Sequence, residues 1–345
     1  MKSAITVVIT GCNRARRGIV QSLKNNRDGR DVRVIGINNS PYNILRTDVD
    51  EFVVAPSITD PEYIPWLRDL CKDKKVDVLI PFIQGELPIA SKYAESLLEV
   101  GTHVSITDPK SLNLLNDKIA LAERYPEYFP AQKVVNSSDG VREFAEKVGY
   151  YDGDHPMCCK IAGKCGGLGF AILDEQKWMD VTFFNRAGSN RFISIGQLCE
   201  IMDHDGTEVI LQEYIRGTEY CTVVLADHGE VAGICGFMGY AMEFGCYTSG
   251  AMLKNQMAYN MTERVVRETG LDGNACFDFI LKEDGTPVML ECNPRISAGI
   301  AFPDRAGADF VYQRCLQLIG EPFLREYDID YDLKMVRNDD FYYYK

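Results

Sequence analysis

Strand-length apolar runs alternate with helix-length segments through the first 110 residues, and this alternation constrains the fold more than any other feature of the sequence. A helix between two strands carries the chain back to the start of the next strand, so that the strands pair in parallel. Such a sheet is covered by helices on both faces. The sequence therefore predicts an α/β unit with strands at residues 5–10, 32–37, 51–54, 76–81 and 103–106, and helices at 17–25, 62–71 and 86–100.

Two loops follow strands of this unit, at the edge of the sheet where ligands of α/β proteins gather. The first, residues 11–18, is not a dinucleotide fingerprint, because Asn13 occupies the position of the second glycine. Its arginines, Arg14, Arg16 and Arg17, either hold an anionic substrate group or form a solvated basic turn. In the second loop, Glu86 either binds a substrate ammonium group or only begins the next helix, where an acid is favourable.

The pattern changes to α+β beyond residue 110. Helices are predicted at residues 111–123 and at 140–148, the second with Ser138 as its N-cap. Strands are predicted at 132–135 and 157–161, and then in antiparallel order at 209–214, 220–226 and 231–237. A helix at 261–270, a hairpin of strands 275–281 and 287–292, and a helix at 308–320 complete the pattern. We expect three units, at residues 1–110, 111–207 and 208–345.

Charge and composition exclude several classes of function. The chain of 345 residues has 50 acidic and 37 basic residues, a formal net charge of −13, which disfavours nucleic acid and anionic membranes as partners. Its apolar runs are too short to span a bilayer, and no signal-peptide core is present, which predicts a cytoplasmic protein. None of the 12 cysteines forms a C-x-x-C pair. Reduced, buried thiols are therefore favoured over a zinc site or a disulfide framework.

The closing hairpin carries the strongest chemical signal. Asp278 lies on its first strand, and Glu291 and Asn293 lie on the second. Side chains two positions apart on a strand point to the same face, so Glu291, Asn293 and the following Arg295 are expected on one face. The central turn places Asp278 opposite Glu291. Two carboxylates and an amide oxygen suit Mg²⁺, and a guanidinium beside them can neutralise a transferring phosphoryl group. The alternative is a surface hairpin with a polar outer face, but Phe277, Phe279, Val288 and Leu290 are expected to bury the opposite face.

Two further segments suit a nucleotide. Residues 163–169 contain Gly166, Gly167 and Gly169, whose backbone amides can fold over phosphate next to the charge of Lys160. Residues 212–219 cross from one strand to another, which leaves backbone groups exposed for an adenine edge, and Glu219 can accept ribose hydroxyls. A glycine-rich turn and an ordinary hairpin are the respective alternatives.

Taken in this order, the features resemble the ATP-grasp superfamily, in the branch similar to the large chain of carbamoyl-phosphate synthase. The resemblance covers nearly the whole chain and implies a Rossmann-like parallel-sheet domain followed by a two-subdomain ATP-grasp fold. It implies that Lys118 and Lys160 hold the ATP phosphates, and that Arg295 and Lys160 are catalytic. It assigns the adenine hinge to Glu213, Tyr214 and Ile215, the ribose to Glu219, and the metal to Asp278, Glu291 and Asn293. Asp278 is shorter than the Glu or Gln often found at its position.

The resemblance implies a ligase that uses ATP and Mg²⁺, for which Mn²⁺ can substitute, to join a small-molecule carboxylate to an amine through an acylphosphate. An amino acid is expected as one substrate, in contact with Glu86 or with Lys254, which ends the segment before the hairpin. The alternatives are carbamoyl-phosphate-synthase-like carboxyphosphate chemistry and a non-catalytic ATP-binding module. Many members of the superfamily are dimers, so a homodimer is allowed.

Overall fold

The computed structural model of the protein describes residues 3–42, 44–153, 155–161, 169–177, 192–243 and 246–338. Within these residues the strands form three sheets, of five, five and six strands. Gly166 and Gly167, which were predicted to contact phosphate, lie outside the described residues. None of the described helices has the length and apolar character needed to cross a membrane.

The first sheet confirms the predicted α/β unit. Its strand order is β3-β2-β1-β4-β5, and every pairing is parallel. One face packs against helices α2 and α3, and the other contributes to a core shared with the third sheet. The elements are β1 (Ile5–Ile9), α1 (Arg17–Lys24), β2 (Val32–Asn38), β3 (Glu51–Val54), α2 (Tyr63–Lys74), β4 (Val78–Ile80), α3 (Leu87–Leu98) and β5 (His103–Val104).

The second sheet has the order β6-β10-β7-β8-β9. Strand β10 pairs with both β6 and β7, although a boundary after residue 207 would place it in the last unit. The predicted boundary after residue 207 is therefore wrong for this strand. A strand pattern in the sequence does not reveal with which other strands it will pair. The elements are α4 (Pro109–Asn116), α5 (Lys118–Arg124), β6 (Gln132–Val135), α6 (Ser138–Val148), β7 (Met157–Ile161), β8 (Phe170–Leu173), β9 (Phe192–Ile193), α7 (Ile195–Asp205) and β10 (Val209–Glu213).

Two predicted helix boundaries in this region are corrected by capping. The helix expected over residues 111–123 is broken at Asp117, whose backbone is extended and whose carboxylate accepts hydrogen bonds from the amides of Ile119 and Ala120. The N-cap of α6 is Ser137 and not Ser138, because the Ser137 hydroxyl accepts the hydrogen bond from the Gly140 amide. The break at Asp117 places the next residue, Lys118, at the N-terminus of α5.

The third sheet has the order β15-β14-β11-β12-β13-β16 and is antiparallel throughout. Helix α8 covers one face, where Tyr259 and Val265 pack with Val224 and Phe277. Strands β13 and β16 were not predicted. The elements are β11 (Thr218–Asp227), β12 (Glu230–Glu243), β13 (Cys246–Met252), α8 (Gln256–Thr269), β14 (Gly273–Leu281), β15 (Pro287–Asn293), α9 (Ala301–Arg305), α10 (Phe310–Leu318) and β16 (Lys334–Val336).

The first and third sheets are joined by close packing of α1 on α9. A Cβ atom added at Gly18 would lie 2.5 Å from the Cβ of Ala301, which is closer than two carbon atoms can approach. The methyl group of Ala301 is fixed to the backbone, so relief requires the two helices to separate. Ile9 and Val223 lie in the same buried cluster, so this separation would also loosen the shared core.

Replacing Gly18 by alanine is therefore expected to lower the free energy of unfolding by about 1–2 kcal/mol, because the clash outweighs the better helix propensity of alanine. Gly196→Ala is the matched control, because Gly196 is also the second residue of a helix and its added Cβ would meet its nearest neighbour, the Ser194 hydroxyl, at 3.7 Å. Chemical denaturation checks both variants. Equal stability of Gly18→Ala and the unchanged protein would contradict the packing described here.

Candidate active site

The hairpin of β14 and β15 brings its polar residues together. Asp278 pairs with Glu291 and Cys276 with Asn293, as the predicted register requires. The Asn293 side-chain amide donates hydrogen bonds to Asp278 Oδ2 at 3.0 Å and to Glu291 Oε1 at 3.2 Å. All three groups therefore lie on one face of the sheet, within contact of one another.

The opposite face differs from the prediction in one strand. A β-bulge after Asp278 makes Phe279 pair with Met289, so that one residue of β15 is skipped. Phe277, Phe279 and Met289 are buried, whereas Val288 and Leu290, which were expected in the core, are only half-buried. Simple alternation along the strand could not reveal the bulge.

The two predicted phosphate-binding lysines reach the hairpin from the second sheet and its preceding helix. Lys118, at the start of α5, forms an ion pair with Glu291. Lys160, on β7, donates a hydrogen bond of 2.9 Å to Gln212 Oε1. Burial lowers the pKa of Lys160, and the neighbouring charge of Lys118 lowers it further, while Glu291 and Asp278 oppose the shift. Both ammonium groups thus act on the same small volume as the two acids.

The two acids have opposite pKa shifts. Burial, with the charge of Glu291 beside it, raises the pKa of Asp278 to about 7. Burial also acts to raise the pKa of Glu291, but the ion pair with Lys118 outweighs it, and the net pKa is lowered. The negative charge of Glu291 is thus balanced by Lys118, whereas Asp278 has too little positive charge nearby to keep its pKa low.

This arrangement fits a hard divalent cation. Two carboxylates and a side-chain amide converge, and Mg²⁺ takes oxygen ligands of these kinds from proteins, together with phosphate and water. Asn293 would have to rotate its amide to present Oδ1, because its NH₂ group faces the acids and Oδ1 accepts from Arg295. A cation here would relieve the repulsion that raises the pKa of Asp278. The residues that would hold it are Asp278, Glu291 and Asn293.

Sequence reasoning missed two groups that touch this site. Gln212 is 3% exposed, and its Oε1 accepts the hydrogen bond that positions Lys160. Its Nε2 donates a hydrogen bond of 2.9 Å to Gln132 Oε1. A glutamine at the end of an otherwise apolar strand is a signal that could have found it. Cys221 of β11 pairs with Asp278 of β14. The sulfur atom of Cys221 lies 2.8 Å from the sulfur atom of Cys276. Both thiols are buried and free, as predicted for this chain.

The predicted adenine hinge lies where the chain leaves the second sheet for the third. The amides of Glu213 and Tyr214 donate to the carbonyls of Ala131 at 2.9 Å and Pro156 at 2.7 Å, which fixes the end of β10, and Ile215 follows before β11 begins. The hinge therefore connects the two sheets that carry the lysines and the acids.

Glu219 faces the acidic pair from β11. Burial raises the pKa of its carboxylate and the charge of Glu291 adds to the shift, while a hydrogen bond from Tyr247 opposes it. Glu219 also lines a small cavity of about 310 Å³ between the hinge end of β11 and residues 239–242 of β12. A ribose-binding acid requires this kind of half-open position.

Only the last glycine of the predicted phosphate loop lies in the described residues. Gly169 has φ +74°, and its carbonyl accepts a hydrogen bond of 3.1 Å from the Ile161 amide. A Cβ at Gly169 would lie within 2.7–2.8 Å of the Ile161 side chain, so only glycine fits both the conformation and the space. Ile161 and Gly169 thus extend the pairing of β7 with β8.

The two predicted substrate contacts do not join this site. Glu86 is 1% exposed, and its two oxygens accept hydrogen bonds from the hydroxyls of Thr10 and Tyr63. Burial raises the pKa of Glu86, and these bonds oppose the shift. Its carboxylate links the first strand to α2, which does not support the predicted contact with a substrate ammonium group.

Lys254 lines a different cleft, of about 1060 Å³. That cleft is formed by the start of β12, helix α8 and residues 325–331, and its lining includes none of Asp278, Glu291 and Asn293. The predicted acceptor role of Lys254 is therefore not supported, because its position in the chain before the hairpin did not reveal on which side of the sheet it lies.

Comparison with known proteins agrees with this fold. Residues 7–105 match the family model described as PylC-like, N-terminal domain, and residues 205–340 match the model described as ATP-grasp in the biosynthetic pathway with Ter operon. The carbamoyl phosphate synthase large chain of Deinococcus deserti is 23% identical over 244 residues, 68% of this chain and 22% of that protein. The chain thus spans about a fifth of the length of this curated relative.

Solved structures share the fold over most of the chain. N5-carboxyaminoimidazole synthetase from Staphylococcus aureus, complexed with ADP, has a TM-score of 0.68 at 14% identity, covering 95% of this chain and 81% of that one. The L-amino acid ligase from Bacillus licheniformis has a TM-score of 0.62 at 16% identity, covering 94% and 76%.

The parallel first sheet, the two sheets joined by a hinge and the acidic hairpin near two lysines agree with an ATP-grasp fold. The chain is similar to ATP-grasp proteins, through the family model matched by residues 205–340, and to the carbamoyl phosphate synthase large chain. The resemblance and the fold class predicted from the sequence are confirmed.

Proposed function

We propose that the protein is an ATP- and Mg²⁺-dependent ligase that activates a small-molecule carboxylate and joins it to an amine. One observation carries the proposal: two lysines, one at the start of α5 and one on β7, interact with the two carboxylates of the hairpin, with Lys118 paired to Glu291 and Lys160 within reach of both acids. Charges gathered in a half-buried site cost free energy, which a nucleotide with its metal would offset. The relatives with this fold, a synthetase complexed with ADP and an L-amino acid ligase, support the same chemistry.

Each group has a role in the proposed reaction. Lys118 and Lys160 bind the ATP phosphates, with the backbone of residues 163–169 over them, and Glu219 holds the ribose. The backbone of Glu213 to Ile215 contacts the adenine. Asp278, Glu291 and Asn293 would hold the metal, which would supply charge neutralisation at the phosphates. Mn²⁺ would fit the same oxygen ligands.

The chemistry needs no nucleophile from the protein. A carboxylate oxygen of the substrate attacks the γ-phosphorus, the bond to the β–γ bridging oxygen breaks, and ADP leaves. The amine nitrogen then attacks the acyl carbon, phosphate leaves, and the amine loses a proton. Arg295 offsets negative charge on the transferring phosphoryl group. Lys160 and Arg295 are thus the proposed catalytic cations.

A second candidate is carboxyphosphate chemistry, in which bicarbonate takes the place of the substrate carboxylate. The likeness to the carbamoyl phosphate synthase large chain favours it. The same lysines, acids and Arg295 would serve, since bicarbonate attacks the same phosphorus atom.

The test is ADP formation from ATP and Mg²⁺ with a panel of amino acids, alone and in pairs, with and without bicarbonate. Stimulation by an amino acid or by one pair is the expected result, and dependence on bicarbonate would favour the second candidate. Tight ATP binding with no ADP formed under any condition would contradict both and leave an ATP-binding module.

A further inference from the structure

Two arginines from different parts of the chain lie near each other beyond the end of the metal hairpin. Arg16 lies in a 3₁₀ turn between β1 and α1, and its guanidinium carbon is 4.6 Å from the ring centroid of Phe82. Arg295 follows β15 and donates to Asn293 Oδ1 at 3.2 Å and to the Ile296 carbonyl at 3.3 Å. Both guanidinium groups are thus oriented by neighbours that are not acids.

The two arginines are brought close by the packing of α1. Helix α1 contacts both α9 and the short turn Ala298–Ile300 that precedes it, only a few residues after Arg295. Electrostatics agree with this proximity: burial lowers the pKa of Arg16 to about 10, and the positive charge of Arg295 is the next cause of the shift. Two like charges facing each other without an anion repel.

Three buried donors here lack a partner in the described part of the chain. The Nε atoms of Arg16 and Arg295 and the hydroxyl of Ser297 are buried without a hydrogen bond. Among the described residues, no carboxylate lies within ion-pair distance of either arginine. Arg17, in contrast, pairs with Asp48 at 3.1 Å. Unsatisfied buried donors are costly, so their clustering indicates a missing acceptor.

The order of charges across the site indicates which acceptor is missing. Lys118 pairs with Glu291 of the acidic pair, and Asn293 connects both acids to Arg295. If the lysines hold the ATP phosphates, an anion bound at the arginines would lie next to the same acidic pair. A guanidinium presents two parallel N–H groups, which match the two oxygens of a carboxylate.

We propose that Arg16 and Arg295, together with Ser297, bind the carboxylate group of the substrate that is activated. The proposal rests on the proposed function and adds to it a residue of the first sheet unit, Arg16. Phe82 holds the Arg16 guanidinium in position through its ring face, so that the carboxylate meets a preorganised donor. Substrate binding would then remove the repulsion between the two arginines.

A kinetic test compares Arg16→Gln with the unchanged protein. The concentration of the stimulating amino acid, or of bicarbonate, that gives half-maximal ADP formation is expected to rise at least about tenfold, while the half-maximal ATP concentration changes less than about twofold. Arg16→Lys should restore part of the loss, because it keeps the charge without the fork. Arg33→Gln removes an exposed arginine of the same sheet, paired with Glu51 at 2.7 Å, and should change neither value.

A second measurement does not depend on turnover. Arginines are modified with phenylglyoxal and located by peptide mapping, in the presence of common L-amino acids, the matching L-amino acid amides, bicarbonate or Mg²⁺ with ADP. Modification of Arg16 is expected to be slowed by at least one amino acid or by bicarbonate, and not by the corresponding amide. The amides keep the amine and side chain but lack the carboxylate.

The two tests separate this proposal from the proposed function. Protection of Arg16 by a carboxylate without any ADP formation would support the carboxylate site and contradict the ligase. Normal ADP formation with an unchanged half-maximal substrate concentration in Arg16→Gln would overturn the site and leave the ligase standing. The site is also overturned if Arg16 resists modification without ligand, or if amides or ADP protect it as well as carboxylates do.

Discussion

Replacing Glu291 by alanine is expected to reduce ADP formation by at least about a hundredfold at saturating ATP and Mg²⁺. Glu291 joins the proposed metal ligands to a phosphate-binding lysine, since it pairs with Lys118 and accepts a hydrogen bond from Asn293. Its loss would remove a ligand from the metal and a restraint from Lys118 together. Initial rates, measured over a range of Mg²⁺ concentrations, check the prediction.

The same substitution should leave the fold intact. Glu291 raises the pKa of the half-buried Asp278, so its removal also relieves a repulsion in the folded state. Glu291→Gln keeps the shape of the side chain and should be nearly as inactive, which would separate charge from packing. Glu283→Gln, in the exposed turn of the same hairpin, is the control and should retain full activity. Activity within tenfold of the unchanged protein in Glu291→Gln would refute the metal assignment.

Replacing Lys160 by methionine is expected to weaken ATP binding at least about tenfold without lowering stability appreciably. Burial lowers the pKa of Lys160, so its ammonium is held in the folded protein at a cost in free energy. Methionine fills a similar volume without that cost, and the main loss is the hydrogen bond of 2.9 Å to Gln212. A residue whose loss harms binding but not folding serves the ligand rather than the fold.

Calorimetric titration with a non-hydrolysable ATP analogue and Mg²⁺, together with thermal unfolding, tests this expectation. Lys133→Met is the matched control, because Lys133 lies in the same sheet but pairs with Glu143 at 3.0 Å on the exposed surface. Unchanged ATP affinity in Lys160→Met would remove Lys160 from the nucleotide site. A large drop in melting temperature would instead mark Lys160 as a structural residue.

The sequence was sufficient for those parts of the site in which the spacing itself fixes the geometry. Asp278, Glu291 and Asn293 sit on a two-stranded hairpin, and the length of its turn sets which residues pair. Lys118 and Lys160 came from the resemblance, and the structure brings both to the hairpin. The parallel first sheet followed from its alternating strands and helices, which are local patterns.

Side-chain environment could not be derived in the same way. Glu86 and Lys254 are polar residues near presumed loops, but one is enclosed by Thr10 and Tyr63 and the other lines a separate cleft. The bulge after Asp278 changed which residues of β15 enter the core. A sequence pattern records which residues are polar and does not record which neighbours surround them.

What the sequence alone determined is the order of elements, the parallel character of the first sheet and the acidic hairpin, because each arises from residues close together in the chain. Only the tertiary structure decided that β10 joins the second sheet and that Arg16, from the first sheet unit, lies near Arg295. Such contacts depend on how the helices pack between the sheets, and the close approach of Gly18 to Ala301 is one example. No local sequence pattern encodes them.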